Sequence, residues 1–316
     1  MSKLRRQLFG IPLKEIRCER RGFNIANPDI KTRIEKIGET FVFGYHAALI
    51  DDDNHALETQ LNTVAPELQG FAYEGAGMAL TLLDLLTPWQ APRLSRFLQG
   101  PGDAHAYMVH VGAGWAMARI PWGWTYFNKL DGLLRWLAVD GYGFHQGYFN
   151  WPQYVIRQQR PEKLTAYQRR VFDQGLGRSL WFSKGAQIDL LTAQIDDFAK
   201  ERHSDLWSGL GLAAAYAGGV NEADLAALKT NAGVYLPQLA QGVAFAAKTR
   251  LRAGNLAEHT EAACRIICEM SLDKAAKLTD DALLALPEDE EIPAYEYWRQ
   301  RIQQNLNTLL HNSKES

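Results

Sequence analysis

The chain has 316 residues, 47% of them hydrophobic and 22% charged, with a formal net charge of −2. That is the balance of a globular protein able to bury one large core, and it gives no footing for nucleic acid or an anionic membrane surface as a partner. The most apolar stretch, AYMVHVGAGWAMARI, is interrupted by His110 and closed by Arg119, short of the roughly 18 uncharged residues a membrane span needs.

In chain order, residues 1–29 carry Lys3, Arg5, Arg6, Lys14, Arg17, Arg20 and Arg21 and read as a solvated basic arm. They hold no continuous apolar leader, so a cytoplasmic protein is expected. From residue 30, apolar residues recur at helical spacing: Ile30, Ile34, Ile37, Phe41, Ala48 and Leu49. The acidic DDDN at 51–54 reads as a cap or link between helices. ELQGFAYEGAGMALTLLDLL and AQIDLLTAQIDDFAK repeat the helical pattern, as does the tail PAYEYWRQRIQQNLNTLL. Strand signatures are nearly absent. The expected fold class is all-α.

Blocks recur in the same order at a nearly constant offset: Gly44 with Gly175, Gly75 with Gly209, Gly114 with Gly242, and Arg135 with Arg265. Two tandem multi-helix units are expected, 30–160 and 161–316, with Pro161 near the junction. The shared glycines stand four residues before alanines, as in Gly75/Ala79, Gly112/Ala116 and Gly209/Ala213. Such small-residue stripes bring helix backbones together, leave room for a ligand, or bury a homodimer seam.

DGYGFHQGYF at 140–149 looks superficially like a dinucleotide fingerprint. A helix precedes it where a strand is required, and Tyr142 and Phe144 would crowd a phosphate. Gly-x-Gly also recurs at 75, 112, 175 and 209, so the pattern carries little weight here. The stretch reads instead as a helix end with Gly141 as the stop, followed by an aromatic turn.

The chemistry-bearing candidates are few. His110 and His145 are candidate proton-transfer groups, because imidazole titrates near neutral pH. Glu74, amid apolar residues, must be paired with an arginine (Arg119, Arg135, Arg178 or Arg265) or held protonated. Tyr45, His46, Trp115, Tyr142, Phe144, Tyr148 and Trp181 supply a wall, and Arg119 and Arg178 supply anchors, for an apolar or unsaturated ligand. Each histidine reads equally as a satisfied core residue. Cys264 and Cys268 lack zinc-site neighbours and read as buried thiols. No metal site is expected, and no motif spells a cofactor, whose identity stays unknown at this level.

RRGF at 20–23, FGYHAAL at 43–49, GFAYEGAGMA at 70–79, MVHVGAGWA at 108–116, AVDGYGFHQGYF at 138–149, FDQGLGRSLWF at 172–182, LWSGLGLAAAYAGG at 206–219 and YEYWRQRI at 295–302 resemble one bacterial family. It is the domain of unknown function numbered seventeen-oh-two, found in enediyne polyketide gene clusters. The resemblance runs from about Arg20 to Ile302 and leaves the arm outside. It implies a role in antibiotic biosynthesis, acting on the linear polyene that an iterative synthase and its thioesterase release. Two uses follow: an enzyme that isomerises, cyclises or oxidatively tailors a polyene or polyyne, or a non-catalytic partner that sequesters the chain for other enediyne pathway proteins.

Overall fold

The computed structural model describes residues 2–289 and 291–312. Helices dominate and no strand occurs among the described residues, as the spacing of apolar residues predicts. Seven long helices form the body: α1 (Pro28–Ile50), α2 (Pro66–Leu86), α3 (Ala106–Arg119), α4 (Arg135–Phe149), α5 (Ala166–Ser183), α6 (Lys200–Ala217) and α7 (Leu236–Ala253). Local chemistry sets their starts. The Asn27 side chain accepts from the backbone of Asp29 at 2.9 Å ahead of Pro28, and Thr165 and Gln168 form a reciprocal capping box at α5. Asp53 of the DDDN run caps the short helix Asn54–Leu61, the role expected of that run.

Each helix of the row packs on the next through a reciprocal pair of glycines: Gly44/Gly75, Gly77/Gly112, Gly114/Gly141, Gly143/Gly175, Gly177/Gly209 and Gly211/Gly242. At every crossing the backbone carbonyl three residues before one glycine stands where the other glycine's Cβ would be, at 1.8–2.5 Å. Gly44 meets the Ala72 carbonyl while Gly75 meets that of Phe41, so residue numbers rise on one helix as they fall on its neighbour. Successive helices therefore run antiparallel. Two glycines in Gly-x-Gly are about 200° apart around a helix. One faces the preceding helix and the other faces the following helix.

This arrangement corrects the reading of 140–149. The segment is continuous α4, without a stop at Gly141 or an aromatic turn. Gly141 is interior to the helix because the Val111 carbonyl needs its space, and Asp140 is fully buried.

The row curls until its ends meet. The Arg33 Nε of α1 donates to the Ala217 carbonyl at 2.6 Å. Arg250 of α7 donates to the Glu67 carbonyl at 2.6 Å and the Tyr216 carbonyl at 2.7 Å. Three further helices, α8 (Glu258–Ile267), α9 (Leu272–Asp281) and α10 (Ala294–Asn312), cover α7. Cys18, Cys264 and Cys268 are free and buried.

The segment before α1, expected as a solvated arm, is folded onto the body. Ile11, Ile16 and Cys18 are buried. The Tyr45 hydroxyl donates to the Phe9 carbonyl at 2.9 Å, and the Trp151 indole donates to that of Arg21 at 2.9 Å. Its cations meet acids, as in Arg17 with Glu35 at 2.5 Å and Glu39 at 3.1 Å.

Candidate functional site

The curl of the row leaves two narrow apolar chambers between the helices. The first is lined by Ile11 and Ile16 of the N-terminal segment, Ile34, Ile37 and Phe41 of α1, Glu74 of α2, Trp115 of α3, and Phe144, Tyr148 and Phe149 of α4. The second is lined by Tyr107, Met108, Val111, Leu212, Tyr216, Phe245 and Trp298, among others. Both are narrow: about 40 Å³ in each is open to the centre of a water-sized sphere. Phe71, Arg178 and Phe182 line both. These three side chains form a waist between the Glu74 chamber and the Tyr216 chamber, and both walls are chiefly aromatic and aliphatic.

The waist is charged. Arg178 is buried and ion-paired with Asp140, and its guanidinium lies 5.0 Å from the centre of the Phe144 ring. Gln174 donates to the other Asp140 oxygen at 2.8 Å. Arg178 and Asp140 thus satisfy each other, as a buried pair must. Glu74 is the group left over. Burial raises its carboxyl to about 7, with Arg178 pulling down and Asp140 pushing up. The Trp115 indole N–H also favours the ionised form, yet it makes no hydrogen bond of good geometry. Glu74 therefore faces an apolar chamber, divided between its two protonation states near neutral pH.

Among the residues expected to form a site, Glu74, Trp115, Phe144, Tyr148 and Arg178 line the Glu74 chamber. Of the four arginines weighed as partners for Glu74, Arg178 is the one whose charge acts on it; Arg135 and Arg265 pair with Asp289 and Glu222.

The remaining expected residues lie elsewhere. His145 packs on Trp115 and Phe149 behind the wall, and burial lowers its imidazole to about 3, leaving it neutral. His110 borders an open polar cleft with Asp84 and Arg252, and its Nδ1 is 2.7 Å from the Ala106 carbonyl. His46 accepts from the Ile11 backbone at 3.1 Å. Tyr45 holds the Phe9 carbonyl, and Trp181 donates to the Gly218 carbonyl at 3.1 Å. Tyr142 packs on Trp124 and Phe172, and Arg119 is exposed at the end of α3.

Phe71, Phe182 and Tyr216 line the chambers without being among the residues that stand out in the sequence. Phe71 is three residues before Glu74 and Phe182 four after Arg178, so helical spacing places each on the face of a residue already singled out. Trp181, expected in the wall, lies one position round the helix from Phe182, which lines it.

Fold and chambers together define an all-α protein with a buried apolar site and a charged waist. The chain belongs to the family described as "Protein of unknown function (DUF1702)", which matches residues 1–306. The match takes in the N-terminal segment that closes the Glu74 chamber. No curated protein and no solved structure matches significantly.

Proposed function

We propose that this protein binds a linear, unsaturated, polyketide-derived chain across the two chambers and moves a proton on it through Glu74, as one step in building an enediyne core. The observation that carries this reading is the Glu74 carboxyl, raised to about 7 by burial in a wall of rings and aliphatic side chains. A general acid–base works best when its pKa lies near the operating pH. The narrow apolar walls suit a thin conjugated chain and exclude sugars and nucleotides, which need many more polar partners. The family resemblance supplies the polyketide context. Arg178 positions the centre of the site, and the buried histidines serve packing.

The step is an isomerisation that balances without an oxidant. The Glu74 carboxylate takes a proton from a carbon acidified by a neighbouring electron-withdrawing group of the chain, the double bonds shift, and the carboxyl returns a proton at another carbon. The test incubates the protein with the polyene released by the synthase in deuterated water, followed by mass spectrometry and absorption. Exchange of deuterium into the chain is expected, together with its loss in Glu74→Gln while binding persists. A chain retained by the protein with its spectrum and mass unchanged would make the protein a carrier that sequesters the intermediate for a neighbouring enzyme.

A further inference from the structure

A plain hydrocarbon is too weak a carbon acid for a carboxylate of this basicity, so proton transfer through Glu74 requires something to take up the electron pair. The second chamber, next to the waist, supplies it. Tyr216 of α6 is 4% exposed and lines the second chamber, and its hydroxyl has no hydrogen-bond partner. The hydroxyl sits against Gly70, where an added Cβ would lie 1.8 Å from the phenolic oxygen. Gly70 is thus a notch cut for that oxygen.

Gly70 and Glu74 are four residues apart on α2, on one face and about 6 Å apart along the axis. Helical side chains lean toward the N-terminus, which tilts Glu74 back toward the notch. No hydrogen bond joins the two groups: Glu74 lines the first chamber and Tyr216 the second, on either side of Phe71, Arg178 and Phe182, which line both. The Arg250 guanidinium lies 4.0 Å from the centre of the Tyr216 ring. Burial nevertheless holds the phenol above its ordinary range, so it stays protonated and able to donate. Asn255 lies close enough to favour the ionised phenol, but its amide oxygen makes no hydrogen bond and its amide nitrogen is tied to the Pro66 carbonyl at 3.2 Å.

We infer that the two chambers are halves of one site for a linear unsaturated ketone, whose carbonyl oxygen sits at the waist and accepts a hydrogen bond from Tyr216. This rests on the reading of the chambers as a chain-binding site and names the class of chain. The proton transfer then closes. Glu74 removes a proton from the carbon between the carbonyl and an isolated double bond. The C–H electron pair becomes a new C=C, and the carbonyl pair moves onto the oxygen, which Tyr216 stabilises. The Glu74 carboxyl returns the proton to the far end of the old double bond, leaving a conjugated ketone.

The experiment uses two probes of equal length, a linear ketone with a β,γ double bond and the corresponding hydrocarbon. Each competes with a fluorescent linear tetraene bound to the full chain. The wild type is expected to bind the ketone roughly three- to tenfold tighter, the worth of one hydrogen bond. Tyr216→Phe should bring the ratio of ketone to hydrocarbon affinity to about one, whatever either affinity becomes, and Gly70→Ala, whose added methyl would stand 1.8 Å from the phenolic oxygen, should lower that ratio too. Tyr216→Phe removes no hydrogen bond of the fold, so it should stay folded. Equal affinities in the wild type, or a preference that survives Tyr216→Phe, overturn the inference and leave the chamber reading standing. If neither probe displaces the tetraene, nor the tetraene itself binds, the chamber reading fails and the inference falls with it.

Discussion

At the scale of single residues, Glu74 leaves a signature in stability as well as in activity. Its carboxyl is raised from 4.5 to about 7 by burial. Between those two pH values the folded chain keeps a proton that the unfolded chain has released. Stability is therefore fully retained below about 4.5, falls as pH rises through the interval and levels off above about 7. The total loss is on the order of 3 kcal/mol. Glu74→Gln keeps the shape and removes the titration. The variant should melt close to the wild type at pH 4 and clearly above it at pH 8. Equal shifts in melting temperature at both pH values would show that Glu74 is not the titrating group. Glu74 and Arg178 were legible in the sequence because charges amid apolar runs demand an explanation. The histidines misdirect for the converse reason: imidazole looks functional wherever it stands, and its burial, which leaves His145 neutral, is set by neighbours from other helices. Tyr216, within AAAYAGG, has nothing around it in sequence to distinguish it from packing.

At the scale of elements, the glycine pairs decide how closely the helices approach, and two opposing effects can be compared. Alanine is favoured over glycine in a helix interior by roughly 1 kcal/mol. At Gly175, though, the new methyl would stand 1.9 Å from the Asp140 carbonyl, a backbone atom that moves only with its helix. The clash should win. Gly175→Ala is expected to destabilise by about 3 kcal/mol or more, whereas Gly132→Ala, with nothing within 4 Å of the added methyl, should be neutral. Urea unfolding of both variants measures the contrast, and a Gly175→Ala variant as stable as the wild type would remove the glycines from the account of the fold. The all-α class was legible from periodicity alone. The recurrence of Gly-x-Gly was visible too, but its frequency counted against it when one copy per helix was the repeat itself. The blocks matched across the chain, Gly44 with Gly175 and Gly75 with Gly209, lie four helices apart in the same row. Which side of a helix each glycine serves depends on the neighbour it meets, and that is a property of the assembled row.

At the scale of the whole molecule, a row of helices has two ends, and the chambers exist because these are drawn together. Arg250 is fully buried where they meet. It donates to the carbonyls of Glu67, Asn255 and Tyr216, linking the start of α2 to the ends of α6 and α7. A hydrophobic side chain there would leave these acceptors without that donor, at a cost of about 1–3 kcal/mol for each acceptor that stays dry. Arg250→Leu should therefore lower unfolding stability by at least about 3 kcal/mol. An exposed pair such as Arg265 with Glu222 offers the contrast, since Arg265→Leu should change stability by no more than about 0.5 kcal/mol. The site should respond along with the fold. The chain reverses direction between α6 and α7 beside Tyr216, so opening this seam lets water into the second chamber before the first. In Arg250→Leu, amide exchange should accelerate at Glu67–Phe71 and Tyr216–Ala217 while the α3–α4 crossing at Gly114 and Gly141 stays protected. Uniform acceleration along the whole row would mean that Arg250 supports global stability alone, and that the closing of the ends is a consequence of the packing rather than the latch that holds the second chamber shut.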